Sequence, residues 1–253
     1  MSVRRGDQPL VDLTSYKAQA LLCYLSVTGH THLRPALAGL LWGNRPEDNA
    51  LMNLRKALKQ LRHQAGTHLI VTRRELAFNH GPPHHIDVIT LQAAADRIKD
   101  PGALEPGQLK QLEHAIALYR GDFLEGFHVR AAPEFEQWVH GQRAHFRELV
   151  LRLMLVATAA HTARGQYNTA IDFTRRLLRL EPWRESAHRH LMHLLAHVGQ
   201  RGAALAQYET CRHALKEELG VEPSAETRTL CQSIATDRFQ SRAGSPSFSL
   251  RIS

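Results

Sequence analysis

Between residues 47 and 64 the chain follows the period of an amphipathic helix. One face carries apolar residues three and four positions apart, which is the spacing of a core-facing stripe, at Leu51, Leu54, Leu58 and Leu61. The opposite face is polar and carries Asn49, Met52, Asn53, Lys56, Lys59, Gln60 and His63, with Arg55 and Arg62 on one flank. Since no carboxylate follows Asp48 in this stretch, the pattern predicts one long helix with a basic outer face.

The residue types on this outer face suit a DNA groove. Amide side chains pair with adenine edges, and basic groups meet guanine edges and phosphates. The helix could therefore lie in a major groove. The alternative is that the polar residues form the solvated face of an ordinary helix.

The elements around this helix follow the order of a winged helix. Residues 2–13 are predicted to form a short hairpin, and Thr14 or Ser15 can cap the helix that follows. A second helix opens at Arg34-Pro35, where proline is tolerated. After the long helix, β-rich runs at 69–72 and 76–78 predict another hairpin.

The turn of the second hairpin carries Arg73 and Arg74. Paired arginines at a hairpin tip suit insertion into a minor groove or contact with phosphates. A solvated turn is the alternative, but the basic tip and the basic helix would belong to one side of the same domain. Together they favour DNA binding.

The second half of the chain reads almost entirely as helix. Residues 79–85 are rich in Gly, Pro and His and mark a joint, and a long amphipathic segment runs from Glu134 to Arg164. The run beginning at Gly165 aligns with the run beginning at Gly199, an offset of 34 residues that is typical of tetratricopeptide helix pairs. With the Glu134–Arg164 helices, these units predict roughly three helical hairpins. The fold class is therefore mainly α.

Charge and motif content narrow the function. Of the 32 basic and 24 acidic side chains, residues 1–80 hold 11 and 5, so most of the surplus lies in the first third and suggests a polyanion partner. The three cysteines show no metal-ligand or disulfide spacing, and no signal peptide or apolar span is present. The sequence also lacks a phosphate-binding P-loop and a GxSxG elbow. We therefore expect a cytoplasmic, nucleoid-associated protein that is not an enzyme and has no cofactor, metal or membrane partner.

Three sequence blocks resemble a known DNA-binding domain: TSYKAQALLCYL (14–25), LRPALAGLLWG (33–43) and NLRKALKQLR (53–62). They resemble the OmpR-type winged helix of the Streptomyces antibiotic regulatory proteins, in which the third helix enters the major groove and the hairpin contacts the backbone or minor groove. The resemblance implies Asn53, Lys56, Lys59 and Gln60 as base or phosphate contacts and Arg73 and Arg74 as wing contacts. Arg55 and Arg62 could equally contact phosphate or form a salt bridge inside the domain.

The second half resembles the bacterial transcriptional activator domain in three stretches: LYRGDFLEGF (118–127), EFEQWVHGQRAHF (134–146) and YETCRHALKEELGVEPSAETRTL (208–230). We therefore expect a winged helix over residues 1–80, a linker over 81–88, an activator domain of tetratricopeptide-like repeats over 89–239 and a disordered tail over 240–253. The resemblance implies an activator that binds direct repeats in promoter DNA as two copies and contacts RNA polymerase. The alternative is an interaction scaffold of helical repeats whose winged helix has become a protein-docking module.

Overall fold

The computed structural model describes residues 4–5, 8–9, 13–98 and 104–236. The chain divides into two compact units, one of residues up to Ala93 with Ala117–Glu148 and the other of Ala94–Ile116 with the residues from Leu149 onward. The expected tail at 240–253 and the tip of the first hairpin lie outside the described residues. Residues 117–148, which sequence motifs group with the second domain, are part of the first unit.

The first unit contains the predicted winged helix. In chain order its elements are strands β1 (Arg4–Arg5) and β2 (Gln8–Pro9), helix α1 (Tyr16–Thr28), strand β3 (His32–Leu33), helices α2 (Arg34–Trp42) and α3 (Glu47–Ala65), and strands β4 (Leu69–Val71) and β5 (Glu75–Phe78). The two short N-terminal strands pair antiparallel. The other three form an antiparallel sheet in the order β3-β5-β4, with Leu76 of β5 opposite both His32 and Val71.

Local sequence explains where these helices begin and end. Ser15 caps α1, since its side chain accepts a hydrogen bond from the backbone N–H of Ala18, and Gly29 ends the helix in a left-handed conformation that glycine adopts without strain. Pro35 lies in the first turn of α2, where its missing N–H costs nothing. The helices and the sheet meet over fully buried leucines, namely Leu21, Leu25, Leu37, Leu41, Leu54, Leu61 and Leu76.

Aromatic residues of α1 pack on the part of the first unit that follows residue 117. Tyr16 stacks on the ring of Phe127 with centroids 5.4 Å apart, and Tyr24 meets Trp138 edge-on at 4.8 Å. Lys17 donates from Nζ to the backbone carbonyl oxygens of Leu41 and Ala131. The winged helix therefore shares its packing with residues more than 100 positions away in the chain.

The rest of the described chain is helical. Its elements are α4 (Asp87–Arg97), α5 (Pro106–Leu118), α6 (Pro133–Ala163), α7 (Tyr167–Leu180), α8 (Glu185–His197), α9 (Arg201–Leu219) and α10 (Ala225–Ala235). The expected fold class, a winged helix followed by an all-α repeat region, is confirmed. None of the helices in the described part of the chain is long and apolar enough to cross a bilayer.

The 34-residue repeat is visible in the second unit. Gly165 and Gly199 both adopt positive φ values, 69° and 78°, at the turns before α7 and α9. Ala170 and Ala204 occupy equivalent positions and are completely buried where the helices of the repeats approach one another. The segment from Glu134 to Arg164 differs from expectation, because it forms one 31-residue helix rather than several. Its only internal glycine, Gly141, lies within the helix and does not break it.

Candidate nucleic-acid interface

The inner face of α3 holds the helix on the core of the winged helix. Leu54, Leu58 and Leu61 are buried as the leucine spacing predicts, but Leu51 is only half-buried at the edge of the stripe. Two alanines, Ala50 and Ala57, are also buried, at 3% and 5% exposure. The centre of the buried stripe is therefore rotated towards the alanines, a shift that the leucine pattern alone does not reveal.

The outer face of α3 carries the predicted contact residues. Asn49, Lys56, Lys59, Gln60 and His63 are exposed, as are the flanking Arg55 and Arg62, whereas Asn53 is half-buried at the boundary. Met52 lies in the middle of this face and remains 43% exposed, although it is a large apolar side chain. Met52 is not among the predicted DNA contacts. Its position in the helical period was the only sequence feature that placed it on this face. From Asn49 to His63 the outer face spans about 21 Å at the α-helical rise of 1.5 Å per residue.

The cations of this region have no acidic partner among the residues that the structure describes. Within the described residues, no carboxylate oxygen lies within 4.0 Å of Arg55, Lys56, Lys59, Arg62, Arg73 or Arg74. The internal salt bridge considered for Arg55 and Arg62 is therefore not formed with any described carboxylate. The acidic residues of α3, Glu47 and Asp48, lie in its first turn, where the helix dipole favours negative charge. The remaining length of the helix is purely basic or neutral.

The wing is a tight hairpin with its arginines at the tip. Strands β4 and β5 pair through three opposed residues, from Leu69 with Phe78 to Val71 with Leu76. Thr72 Oγ1 accepts a hydrogen bond from the backbone N–H of Glu75 at 2.9 Å, and the Thr72 N–H donates to the Glu75 carbonyl at 3.0 Å. These bonds fix the turn and leave Arg73 and Arg74, hereafter the wing tip, exposed to solvent.

The base of the wing is tied to the end of α3. A short 3-10 turn, Gly66–His68, leads from the helix into β4. Asn79, at the end of β5, donates from its backbone N–H to the carbonyl of His68 and from Nδ2 to the carbonyl of Thr67, both at 2.9 Å. The helix and the wing are thus two parts of one framework.

Histidines surround Phe78 beside this base. The rings of His68, His80 and His84 all lie within 6 Å of the Phe78 ring, and His80 and His84 share a hydrogen bond of 3.1 Å. Burial, and after it the neighbouring His84, lowers the pKa of His80, which favours the neutral form of that imidazole. Among the described residues no group of three or more His, Cys, Asp or Glu side chains is placed to hold a metal ion.

The second half of the chain matches a known protein family. The profile of the bacterial transcriptional activator domain matches residues 88–235. The regulatory protein AfsR of Streptomyces griseus is 26% identical over 232 residues, which cover 91% of this chain and 23% of that protein. AfsR of Streptomyces coelicolor is 28% identical over 227 residues, covering 87% of this chain and 22% of that protein.

A solved structure supports the fold across nearly the whole chain. EmbR of Mycobacterium tuberculosis, solved in complex with a low-affinity phosphopeptide, superposes with a TM-score of 0.62 over 93% of this chain and 63% of its own, at 19% identity. At that identity the similarity shows the fold alone. The chain spans less than a quarter of the length of the two AfsR proteins that it matches.

Proposed function

Because the chain belongs to the bacterial transcriptional activator domain family, as a regulator of the Streptomyces antibiotic regulatory protein type, we propose that it activates transcription by binding promoter DNA sequence-specifically. The observation that carries this proposal is the exposed basic surface of α3 and the wing tip. Six exposed cations without a described carboxylate partner form a surface that attracts a polyanion.

The outer face of α3 would enter the major groove. That groove is about 12 Å wide and admits one helix. The amides of Asn49, Asn53 and Gln60 would read adenine edges, and Lys56 and Lys59 would reach guanine edges or phosphates. Arg55, Arg62 and His63 would contact the flanking phosphates. The exposed thioether and terminal methyl group of Met52 suit an apolar base substituent such as the thymine methyl group.

The wing tip would contact the minor groove or the backbone beside it. Arg73 and Arg74 are held at the end of a hydrogen-bonded turn, so their guanidinium groups extend from a fixed base. Arginines inserted into a narrow minor groove benefit from its strong negative potential. Because the wing base is bonded to the end of α3, contacts at the tip would also set how the helix lies in its groove.

The helical repeats would serve assembly. On this proposal two copies bind direct repeats side by side, as a dimer that forms in solution or only on DNA, and the repeat region contacts RNA polymerase. Stacked helical hairpins such as α7–α8 and α9–α10 present extended surfaces that suit such contacts. The protein would act on the nucleoid in the cytoplasm.

The proposal can be tested by fluorescence anisotropy with double-stranded DNA selected from a random pool, titrated in salt. We expect log affinity to fall steeply with log salt, by about 0.9 for each phosphate neutralised. The variant Lys56→Ala/Arg73→Ala should bind weakly and with a shallower slope. A matched control, Lys110→Ala/Arg152→Ala, removes two exposed cations from α5 and α6 and should bind like the wild type.

The same experiment distinguishes DNA binding from the alternative, a scaffold whose winged helix docks a protein. A protein-docking module would show weak binding that hardly depends on salt, and the α3 variant would resemble its control. That result would overturn the proposal. Circular dichroism of both variants would verify that helix content is unchanged.

A further inference from the structure

A groove in the second unit lies between α7 and α9, with α8 as its floor. It is an open groove with a volume of about 290 Å³, just below the range of about 300–1,000 Å³ that ligand pockets span. Its apolar surface comes from Leu178, Pro182, Leu191 and Ala214, and its polar groups come from Arg175, Arg179, His188, Gln207 and Thr210. We call this cavity the α7–α9 groove.

Two arginines stand on one wall of the groove. Arg175 and Arg179 are four residues apart, so they lie on the same face of α7, where like charges destabilise a helix. Asp172 approaches Arg175 only to 4.0 Å, with both side chains largely exposed. Glu181, the residue that follows α7, is engaged by Arg184 at 2.8 Å. Among the described residues no carboxylate lies within 4.0 Å of Arg179, so the positive charge of the wall is only partly compensated.

The floor of the groove is fixed and uncharged. His188 is 2% exposed and donates from Nε2 to the carbonyl of Pro182 at 2.8 Å, which leaves its Nδ1 to accept from Gln207 Nε2 at 2.6 Å. Both ring nitrogens are thus satisfied in one neutral tautomer, and burial lowers the pKa of this imidazole. Beside it Leu191 is 1% exposed. The bottom of the groove can therefore receive an apolar group without losing a hydrogen bond.

From this arrangement we propose that the α7–α9 groove binds a small organic anion with an apolar body, such as a carboxylate carrying a short alkyl or aryl group. The anionic head is held by the guanidinium groups of Arg175 and Arg179. The apolar body lies over Leu178, Leu191 and Ala214. Thr210 and Gln207 lie on the α9 side. The Thr210 hydroxyl donates to the carbonyl of Ala206, so it can accept from a polar substituent of the ligand, as can the amide oxygen of Gln207.

The proposal is independent of DNA binding and is tested with the full chain. Octanoate is titrated against it and the amide signals are followed by two-dimensional ¹H–¹⁵N NMR, with octan-1-ol as the uncharged partner of equal length. We expect saturable shifts that centre on α7 and α9. We also expect octanoate to bind about tenfold or more tightly than octan-1-ol, because charge-assisted hydrogen bonds hold its head group.

Variants separate the head-group contacts from general charge. Arg175→Gln/Arg179→Gln should weaken octanoate binding about tenfold and leave octan-1-ol unchanged, and Ala214→Phe should weaken both by filling the groove. The control Arg212→Gln removes an exposed arginine of α9 that pairs with Glu209 and lies outside the groove, so it should bind like the wild type. Thermal unfolding of each variant establishes that it is folded.

Three outcomes would overturn the proposal. Equal affinity for octanoate and octan-1-ol would show an apolar crevice without anion recognition. Unchanged octanoate binding in Arg175→Gln/Arg179→Gln would place the anion elsewhere. Displacement of octanoate by a capped peptide of Glu and Leu at tenfold lower concentration would identify a protein segment as the occupant.

Discussion

Helices α3 and α9 are both 19 residues long and both carry several basic side chains, but they differ in whether these side chains pair with carboxylates. On α9, Arg212 pairs with Glu209 at 2.8 Å, and Lys216 and His213 also have carboxylates within 4.0 Å. On α3 the four cations beyond the first turn have none among the described residues. Exposed pairs one turn apart are the ordinary way in which a solvated helix balances its charge. No such pair forms on α3 with any described carboxylate, so the charges of its outer face remain available to a polyanion.

The two helices also differ in where their packing partners come from. Helix α9 packs mainly on α8 and α10, its neighbours in the chain, around a core that includes Leu191 and Leu230. The unit that contains α3 is completed by Phe127 and Trp138, far along the sequence. A repeat builds its core from adjacent elements, whereas the winged helix here depends on a distant segment.

The largest effect should come from reversing charge on the two helices in parallel. We expect Lys56→Glu/Lys59→Glu to weaken DNA binding at least a hundredfold, about 3 kcal/mol, because it replaces two attractive groups with repulsive ones at a polyanion. Arg212→Glu/Lys216→Glu makes the same change in net charge on α9. It should leave affinity within about twofold, as measured by anisotropy at one fixed salt concentration. Equal losses in the two variants would mean that only net charge matters and that α3 has no special role.

The next-largest effect is a loss of stability at acidic pH that originates in α8, the helix on which α9 packs. Burial and the neighbouring His193 lower the pKa of His190 to about 4. The unfolded chain takes up this proton near pH 6.5 and the folded chain only near pH 4, so the contribution to stability is complete above pH 6.5 and is lost as pH falls towards 4. Between pH 7 and pH 4 the wild type should lose about 3 kcal/mol more stability than His190→Gln.

This loss is measured by urea unfolding of both proteins at several pH values. His188 and His193 have pKa values lowered by burial in the same unit and contribute with the same sign, so His190→Gln should retain part of the acid sensitivity. Parallel pH profiles for the wild type and His190→Gln would contradict the assignment to His190.

A smaller effect tests the long-range packing of the first unit. Tyr24 and Trp138 meet edge-on, a geometry that contributes about 0.5–1.5 kcal/mol beyond the area that it buries. A double-mutant cycle of Tyr24→Leu and Trp138→Leu should therefore show a coupling of about 1 kcal/mol in the free energy of unfolding. The control cycle of Tyr24→Leu with Tyr208→Leu, whose partners belong to the other unit, should be additive within about 0.5 kcal/mol.

Different parts of the structure were predictable from sequence to different degrees. The helical period, the wing hairpin and the 34-residue repeat are local patterns, and each appears where its residues indicated. The burial of Ala50 and Ala57 was not predicted, since small residues give a weak periodic signal. The contacts of Tyr16 and Tyr24 could not be predicted, because nothing local in the sequence specifies a partner more than 100 residues away.

The residues of the candidate site could be predicted from the sequence. Whether carboxylates from other elements pair with its cations could not. The sequence shows that α3 lacks carboxylates after Asp48, but it does not show whether a carboxylate from another element approaches Lys56 or Arg62. For the described residues, the distances between these cations and the carboxylates come only from the folded structure. The same holds for the α7–α9 groove, because Arg175 and Ala214 are brought together by the stacking of two repeats.

The smallest expected effect comes from exchanging the charge patterns of the two helices. Glu209→Gln removes the carboxylate that receives both Nε and Nη2 of Arg212 on α9. Both side chains are more than half exposed, so the pair is screened by solvent and its loss should barely change the melting temperature. It should not create DNA binding, because a single unpaired arginine on α9 lacks the neighbouring amides and lysines of α3.

Met52→Glu makes the converse change on α3. A glutamate four residues before Lys56 can form an oppositely charged pair one turn apart, as Glu209 and Arg212 do on α9, which should stabilise the helix by roughly 0.2–0.5 kcal/mol. The same carboxylate stands in the middle of the outer face and neutralises its charge, so DNA affinity should fall although the protein is slightly more stable. Met52→Gln serves as the uncharged control in both anisotropy and thermal unfolding. A rise in stability together with a fall in DNA affinity would indicate that the basic residues of α3 are left without carboxylate partners so that they can bind DNA. A rise in stability with unchanged DNA affinity would show that α3 is not part of the interface.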